Sequence, residues 1–223
     1  MLYPSPRFLP AGDAALSIEL ADAISEEVGA VVARLDAALH AHPPAGLIET
    51  VPSYRSVLVY FDPLRLDPAE LRARALDALA AAGAVDAREP RRWDIPVVYG
   101  GEDGPDLADV AARAGLTPER LVQVHSAVDW RVYMIGFMPG LPYLGLGPPE
   151  LNLPRLPTPR LRVPTGSVAI AMRQTCLYPY VSPGGWHLIG RTGFRPFDLA
   201  ADPPFRFEVG DRVRFLPVAR LEG

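Results

Sequence analysis

The first part of the chain alternates between strand-like and helix-like hydrophobic patterns. Ala14–Leu20 has the alternation of apolar and polar residues, clearest from Leu16 onward, that is typical of a half-buried strand. From Ile24 to Leu39 the apolar residues recur at helical spacing, which predicts an amphipathic helix with Asp22 as its N-cap. Two further apolar runs, Leu47–Val51 and Ser56–Phe61, predict a pair of strands.

A second helix and one more strand complete this pattern. The helix is predicted over 68–82, because Asp67 can cap it, Pro68 suits its first turn and Gly83 can end it. Asp94–Tyr99 follows as a strand. The resulting order, β-α-β-β-α-β, is that of a ferredoxin-like unit. We therefore expect a ferredoxin-like α+β domain over residues 1–90.

Short strands divided by strong turn signals dominate the rest of the chain. Two helices come first, one over 105–114 capped by Asp103 and one over 118–126 capped by Thr117. Strands are then predicted at 130–135, 167–171, 186–189 and 212–216. Thirteen of the 26 prolines lie between Tyr133 and Pro204, yet aromatic residues are spread through the same stretch, whereas disordered segments are poor in them. A small β-barrel or sandwich is predicted over residues 91–223.

Composition and charge narrow the location and the partners. The net charge of −4 and the isoelectric point near 5.6 argue against a nucleic-acid or anionic-membrane surface. No apolar run approaches the ~20 residues of a membrane span, and the N-terminus lacks the pattern of a signal peptide. Cys176 is the single cysteine, which excludes an internal disulfide and fits a reducing compartment. We expect a cytoplasmic protein.

All 22 basic residues are arginines, so no mechanism that needs a lysine is available. Between residues 133 and 198 the arginines outnumber the acids six to two, which indicates an electropositive cleft for a carboxylate or a phosphate. Its candidate arginines are Arg155, Arg160 and Arg191. A solvated rim, or contact with an acidic partner protein, would explain the same excess.

Glycine pairs at 136/140 and 184/185 could expose consecutive N–H groups to the same anion, or could simply form tight hairpins. The four histidines show no metal-binding spacing, so no metal site is predicted in this chain. His125 is a candidate general acid or base, with a hydrogen-bonded structural role as the alternative. Cys176, among apolar neighbours, is interpreted as a small buried side chain rather than a nucleophile.

The second half also carries glycine- and proline-rich motifs in a fixed order. They are Gly136-Phe137-Met138-Pro139-Gly140, Tyr143-Leu144-Gly145, Pro154-Arg155, Pro159-Arg160, Val163-Pro164-Thr165-Gly166-Ser167, Gln174-Thr175 and Ser182-Pro183-Gly184-Gly185-Trp186. Together with His125, they closely resemble the family of 5-oxoprolinase B subunits, also labelled allophanate hydrolase subunit 1, which includes the bacterial kinase-A inhibitor. The resemblance is weak before Arg92 and dense after it.

This resemblance implies an N-terminal ferredoxin-like domain followed by a C-terminal cyclophilin-like β-barrel. It also implies that the chain is one component of an ATP-dependent 5-oxoprolinase, an enzyme that opens the lactam of 5-oxo-L-proline to give L-glutamate. This component is expected to be inactive without its partners. Those partners are the C subunit, which is a similar cyclophilin-like protein, and the A subunit. ATP, with Mg²⁺, is expected to be held by the assembled complex.

The candidate site combines these observations. The substrate- or anion-binding residues are expected to be Arg155, Arg160, Arg191, Gly136, Gly140, Gln174, Gly184 and Gly185, with His125 as the catalytic residue. Arg173 and Cys176 depart from the family pattern, since they stand where small residues, usually glycine, are common.

Other functions fit the same resemblance. The chain could be a non-enzymatic inhibitor of a sensor histidine kinase, or an accessory to urea or allophanate metabolism. A peptidyl-prolyl isomerase would rest on fold analogy alone.

Overall fold

The computed structural model describes residues 1–81 and 89–221. The chain divides into two compact units, Met1–Glu89 and Pro90–Gly223, and this division lies beside the predicted boundary. That each unit folds by itself remains a prediction, which expression of 91–223 alone would test.

The first unit is an antiparallel four-stranded sheet with two helices. Its elements are β1 (Leu2–Pro10), β2 (Ala15–Ala21), α1 (Glu26–Ala41), β3 (Leu47–Pro52), β4 (Ser56–Phe61) and α2 (Pro68–Ala81). The strand order is β1-β2-β4-β3. Strand β1 takes the edge position beside β2 that the last strand of a ferredoxin-like unit occupies, so the unit is a permuted ferredoxin-like arrangement. The predicted last strand, Asp94–Tyr99, is therefore wrongly assigned, because it belongs to the second unit.

Helix caps in the first unit differ from the prediction at one position. The hydroxyl of Ser25 caps α1 by accepting from the Val28 N–H at 3.1 Å. Asp22 is instead paired with the terminal amino group of Met1 at 2.7 Å. Asp67 does accept from the Ala69 N–H at 2.6 Å at the start of α2. The predicted stop at residue 83 lies outside the described residues.

The second unit is built on a closed barrel of seven strands. Its elements are β5 (Arg92–Tyr99), α3 (Leu107–Arg113), α4 (Pro118–Ser126), β6 (Trp130–Ile135), β7 (Pro142–Gly145), a 3₁₀ turn (Pro149–Leu151), β8 (Arg160–Val163), β9 (Ser167–Ala171), β10 (Gln174–Leu177), β11 (Ser182–Gly184), β12 (His187–Arg191) and β13 (Arg212–Pro217). The barrel order is β10-β7-β6-β13-β5-β12-β9, and β8 pairs with β11 in a separate small sheet. The α+β class with a β-barrel is thus confirmed. Within the described residues, no helix is both long and apolar enough to cross a membrane.

The start of α3 corrects another predicted cap. The helix begins at Leu107, and Asp106 occupies the N-cap position without a capping hydrogen bond. The Asp106 carboxylate instead accepts from the Leu188 N–H at 2.7 Å. Asp103, the predicted cap, is paired with Arg191 at 3.3 Å. Thr117 caps α4 as predicted, through the Arg120 N–H at 3.2 Å.

Alternation along the barrel strands separates two hydrophobic clusters. The interior cluster takes buried side chains from all seven strands and from α3 and α4, for example Val168 and Ile170 of β9. The outer cluster lies on the opposite face of β7, β9, β10 and β12 and consists of Leu141, Val163, Ala169, Ala171, Cys176, Tyr178, Trp186 and Leu188. Because side chains of successive strand residues point to opposite faces, one strand serves both clusters.

Candidate functional site

A cavity of about 270 Å³ opens at the outer cluster, and we call it the outer cavity. It is lined by Phe137, Leu141, Tyr143, Arg155, Pro159, Cys176, Tyr178, Pro183, Gly184, Gly185 and Trp186. Ala169 and Ala171 lie in the same cluster, and such small side chains leave the space that larger ones would fill. Small and large side chains thus share the outer cluster, and the outer cavity opens at its surface.

Aromatic rings form the walls of the outer cavity. Tyr143 of β7 meets Trp186 edge to face, with ring centroids 5.8 Å apart. Tyr178, just after β10, closes another side. Rings in such contacts present large, stiff apolar surfaces to a ligand.

Two glycines of the motifs are required by close approach. A Cβ at Gly184 would lie 2.4 Å from the Tyr178 hydroxyl oxygen, so a larger residue there would displace the Tyr178 ring that lines the cavity. Gly140 has a φ of +77°, and a Cβ there would lie 2.3 Å from Cβ of Phe197. The N–H of Gly136 donates to Leu141 O at 3.1 Å, which closes a turn. Of the predicted anion nests, the first is therefore a tight turn, whereas Gly184 and Gly185 line the cavity.

Arg155 lies at the outer cavity, and its charge is not paired with a carboxylate of the described residues. Its guanidinium carbon lies 5.7 Å from the ring centroid of Trp186, within the range of a cation–π contact. In the part of the chain that the structure describes, no carboxylate lies within salt-bridge distance of Arg155, and its side chain is exposed. This guanidinium is available to an incoming anion.

The other two predicted arginines form ion pairs with carboxylates. Arg160 donates to Asp106 at 2.6 Å, and Arg191 is paired with Asp103 at 3.3 Å. Neither lines the outer cavity. The expectation that all three arginines hold one anion is therefore corrected, because two of them are already neutralised by aspartates from the loop before α3.

His125 lies in the interior cluster rather than at the outer cavity. It is fully buried, with Nδ1 2.8 Å from the Tyr99 hydroxyl and Nε2 3.0 Å from Thr175 Oγ1. The Thr175 hydroxyl donates to the Ala169 carbonyl at 3.0 Å, so it accepts from Nε2–H, and the Tyr99 hydroxyl donates to Nδ1. Burial lowers the pKa of His125 to about 3.

This geometry fits a structural histidine and not the predicted general acid or base. Both ring nitrogens of His125 are used, the ring is closed off from solvent, and a pKa near 3 keeps it neutral. The predicted proton-transfer role is therefore corrected to a structural one.

The thiol and phenol groups around the outer cavity are neutral. Burial raises the pKa of the Cys176 thiol and of the Tyr178 hydroxyl well above their ordinary values. Burial also raises the pKa of Tyr143. Arg155 is therefore the only charge among the described residues of the cavity lining, and no ionised nucleophile stands beside it there.

Gln174 is a further predicted site residue that lies elsewhere, and several residues of the cavity were not predicted. Gln174 is buried on β10 but does not line the outer cavity. The aromatic wall residues Tyr143, Tyr178 and Trp186 are absent from the predicted site, although they stand inside the quoted motifs or next to them. They could have been found because they lie close to glycines in the sequence, a pattern that counting charges does not detect. No group of three or more metal-binding side chains occurs among the described residues.

Comparison with known proteins places the chain in a class. The family described as "Carboxyltransferase domain, subdomain C and D" matches residues 6–207. Because this match covers most of the chain, the protein belongs to that family.

Relatives within the family are more specific. The chain is 37% identical over 221 residues to the 5-oxoprolinase B subunit of Bacillus subtilis (strain 168), covering 95% of this chain and 92% of that protein. It is 44% identical over 174 residues to the 5-oxoprolinase B subunit of Escherichia coli O157:H7, covering 77% and 78%. The resemblance drawn from the motifs is confirmed.

Solved structures give the same fold. TTHA0988 superposes with a TM-score of 0.80 at 39% identity over 94% of this chain, which spans only 40% of that protein. The Kluyveromyces lactis urea amidolyase superposes with a TM-score of 0.77 at 18% identity over 98% of this chain and 15% of that protein. The second likeness supports the fold alone.

Proposed function

We propose that the chain is the B subunit of an ATP-dependent 5-oxoprolinase and that its outer cavity binds the carboxylate of 5-oxo-L-proline. The relatives that carry the name of this B subunit support the first part. The observation that carries the site is Arg155, an arginine without a carboxylate partner among the described residues, placed over Trp186 at the cavity.

The size and lining of the outer cavity suit a small ring with one negative charge. At about 270 Å³ it is slightly smaller than typical ligand pockets, which span about 300–1,000 Å³, as suits a small ligand. The five-membered lactam ring would lie against Tyr143 and Trp186. Its carboxylate would accept two parallel hydrogen bonds from the planar guanidinium of Arg155.

The same lining does not suit a nucleoside triphosphate. Three phosphate groups need several cations or a metal, whereas the outer cavity holds the single guanidinium of Arg155. The chain also lacks lysine. We therefore assign ATP, with Mg²⁺, to the assembled complex outside this cavity, where the A and C subunits implied by the family would hold it.

Lactam opening by this chain alone is not expected. The hydroxyls of Tyr143 and Tyr178 and the thiol of Cys176 are neutral, so none serves as a base or an ionised nucleophile at neutral pH. The chain would bind and orient the substrate, and the partner proteins would supply the reacting groups. Purified alone, it should show little or no ATP-dependent turnover of 5-oxoproline.

Steady-state kinetics of the reconstituted complex tests the site. Arg155→Ala should raise KM for 5-oxoproline about ten- to a hundredfold, because a hydrogen bond to a charged group contributes about 1.5–3 kcal/mol. Arg162→Ala is the matched control, since Arg162 is exposed in the neighbouring segment and does not line the cavity. Equal KM values for Arg155→Ala and the wild type would remove the outer cavity as the substrate site.

A non-enzymatic regulator is the second candidate. Phe137 lines the outer cavity yet is 66% exposed, and an exposed aromatic residue at a cavity rim also suits a protein segment. Isolation of the chain from its native cell with a histidine kinase bound, and without other 5-oxoprolinase components, would favour this function.

A further inference from the structure

The segment that contains Arg155 is held by a hydrogen bond on each side of that residue. The carbonyl of Pro154 accepts a hydrogen bond from His187 Nε2 at 2.8 Å. The N–H of Leu156 donates to Gly185 O at 2.7 Å. Arg155 lies between these two anchors, and Trp186, the ring beneath its guanidinium, lies between the two anchoring residues.

His187 makes this contact at a cost to its own hydrogen bonding. Its side chain is fully buried, and because a carbonyl only accepts, Nε2 must carry the proton. Nδ1 has no hydrogen-bond partner among the described residues. A buried polar atom without a partner destabilises the fold, so an apolar side chain would serve packing alone better than this imidazole.

We propose that His187 is a positioning residue for Arg155, which rests on the substrate site assigned above. Its hydrogen bond fixes the Pro154 carbonyl, and the proline ring restricts the backbone of the same residue. With Leu156 held on the other side, the guanidinium of Arg155 stays over Trp186 before the ligand arrives. Binding then requires less ordering of a long side chain.

The contrast with His125 separates this role from simple core packing. His125 is also fully buried, but both of its nitrogens are partnered by Tyr99 and Thr175 inside the barrel. The single hydrogen bond that the structure gives the His187 ring within the described residues goes to the segment of Arg155. Loss of His125 should therefore act on stability, and loss of His187 on ligand affinity.

The experiment measures 5-oxoproline kinetics of the reconstituted complex with variants at His187. His187→Leu should raise KM about three- to tenfold, the effect of one hydrogen bond, with kcat within about twofold of the wild type. His187→Gln should recover much of the affinity, because its amide N–H can donate to the same carbonyl. Hydrogen exchange of the Leu156 amide in the isolated chain should speed up in His187→Leu and slow again in His187→Gln.

A double variant makes the inference specific. If His187 acts through Arg155, Arg155→Ala combined with His187→Leu should have the same KM as Arg155→Ala alone. Additive effects would overturn the inference, as would a His187→Leu variant with lowered Tm and unchanged KM. If His187→Leu does not fold, His187→Asn, whose shorter side chain does not reach Pro154, replaces it in the comparison with His187→Gln.

The outcomes separate this inference from the proposed function. If Arg155→Ala leaves KM unchanged, the substrate site itself is wrong and the positioning role falls with it. If Arg155→Ala raises KM but His187→Leu does not, the site stands and only the positioning role is overturned.

Discussion

The two faces of strands β9 and β10 differ in how completely they are filled. On the inner face, Val168, Ile170 and Leu177 pack with no exposed surface in the interior cluster. On the outer face of the same strands, Ala169 and Cys176 are small, and Cys176 lines the outer cavity. Because successive side chains point to opposite faces, one short strand contributes larger side chains to a filled core and smaller ones to the cluster that carries the cavity.

The buried histidines follow the same division. His125, on the inner side, belongs to a continuous hydrogen-bonded chain from Tyr99 through Thr175 to the Ala169 carbonyl. His187, next to the outer cavity, is partnered at one nitrogen within the described residues. Buried polar groups with all their hydrogen bonds made stabilise a fold, whereas an unpartnered one is costly and needs an explanation, which the positioning of Arg155 would supply for His187.

The largest expected effect comes from truncating a side chain of the interior cluster, to which the inner face of β9 and β10 contributes. Phe215 is fully buried and stacks on His125 with ring centroids 4.9 Å apart. Phe215→Ala should lower the free energy of unfolding by about 3–5 kcal/mol, because it removes a large apolar side chain and leaves a void. Urea denaturation would measure the loss.

Cys176→Ala is the control for that experiment, since it removes one sulfur atom beside space that is already empty. Its effect should be far smaller than that of Phe215→Ala. Equal losses would show that the two faces contribute alike and would contradict the comparison.

Acidification should weaken the inner face through His125. Burial lowers its pKa from 6.5 to about 3 in the folded chain, so the unfolded chain takes up the proton first as the pH falls. This contribution to stability is fully present above pH ~6.5 and is lost toward pH ~3, at about 1.4 kcal/mol per pH unit. Between pH 7 and pH 5 the loss should be about 2 kcal/mol.

His125→Gln isolates that contribution, because its amide can bond to both Tyr99 and Thr175 but does not titrate. Urea denaturation of both proteins from pH 7 to pH 5 gives the difference. If the free energy of unfolding depends on pH in the same way in the wild type and the variant, the pKa of His125 is the same in the folded and the unfolded chain, which would contradict the prediction.

Much of the fold could be predicted from local pattern, but some strands could not. Strand β1 carries three prolines, which weaken any strand signal, and it is accommodated because it lies at a sheet edge. Strand β10 is buried at all four residues, so buried and exposed positions do not alternate along it. Strand β5 is recognisable as a strand but is predicted in the wrong sheet, because its partners β12 and β13 lie far along the chain.

The candidate site shows a similar limit. The arginine excess lies between residues 133 and 198, and the aspartates that neutralise Arg160 and Arg191 lie outside that window, at Asp106 and Asp103. Charge counted along a segment cannot include carboxylates that only folding brings close. The glycine- and aromatic-rich motifs are the better guide, since they form most of the cavity lining.

Filling the outer cavity should weaken substrate binding while changing the stability of the fold little. Cys176→Leu adds carbon atoms where space exists, so the free energy of unfolding should change by less than the roughly 1–3 kcal/mol typical of overpacking a filled core. KM for 5-oxoproline in the reconstituted complex should rise at least about tenfold, or ~1.4 kcal/mol, because the leucine occupies ligand space. Thermal denaturation and steady-state kinetics measure the two effects. A stability loss with unchanged KM would place the cavity outside the substrate site.

The smallest expected effect is at the hairpin that joins the two strands of the comparison. Met172 and Arg173 both have positive φ, at 51° and 63°, as a two-residue hairpin of the type I′ class requires. Side chains other than glycine are strained there by about 1–2 kcal/mol. Met172→Gly should therefore stabilise the chain by about 0.5–1 kcal/mol, after allowing for the greater freedom of glycine in the unfolded state.

Arg173→Gly is the matched variant at the same hairpin. It relieves the same strain but loses the hydrogen bond from Arg173 Nε to the Gly147 carbonyl at 2.8 Å, so its net effect should be near zero. Urea denaturation of both variants gives the difference. If Arg173→Gly stabilised the chain as much as Met172→Gly, the bond to Gly147 would contribute nothing. Arg173 would then only destabilise the hairpin relative to glycine, with no hydrogen bond to offset the strain.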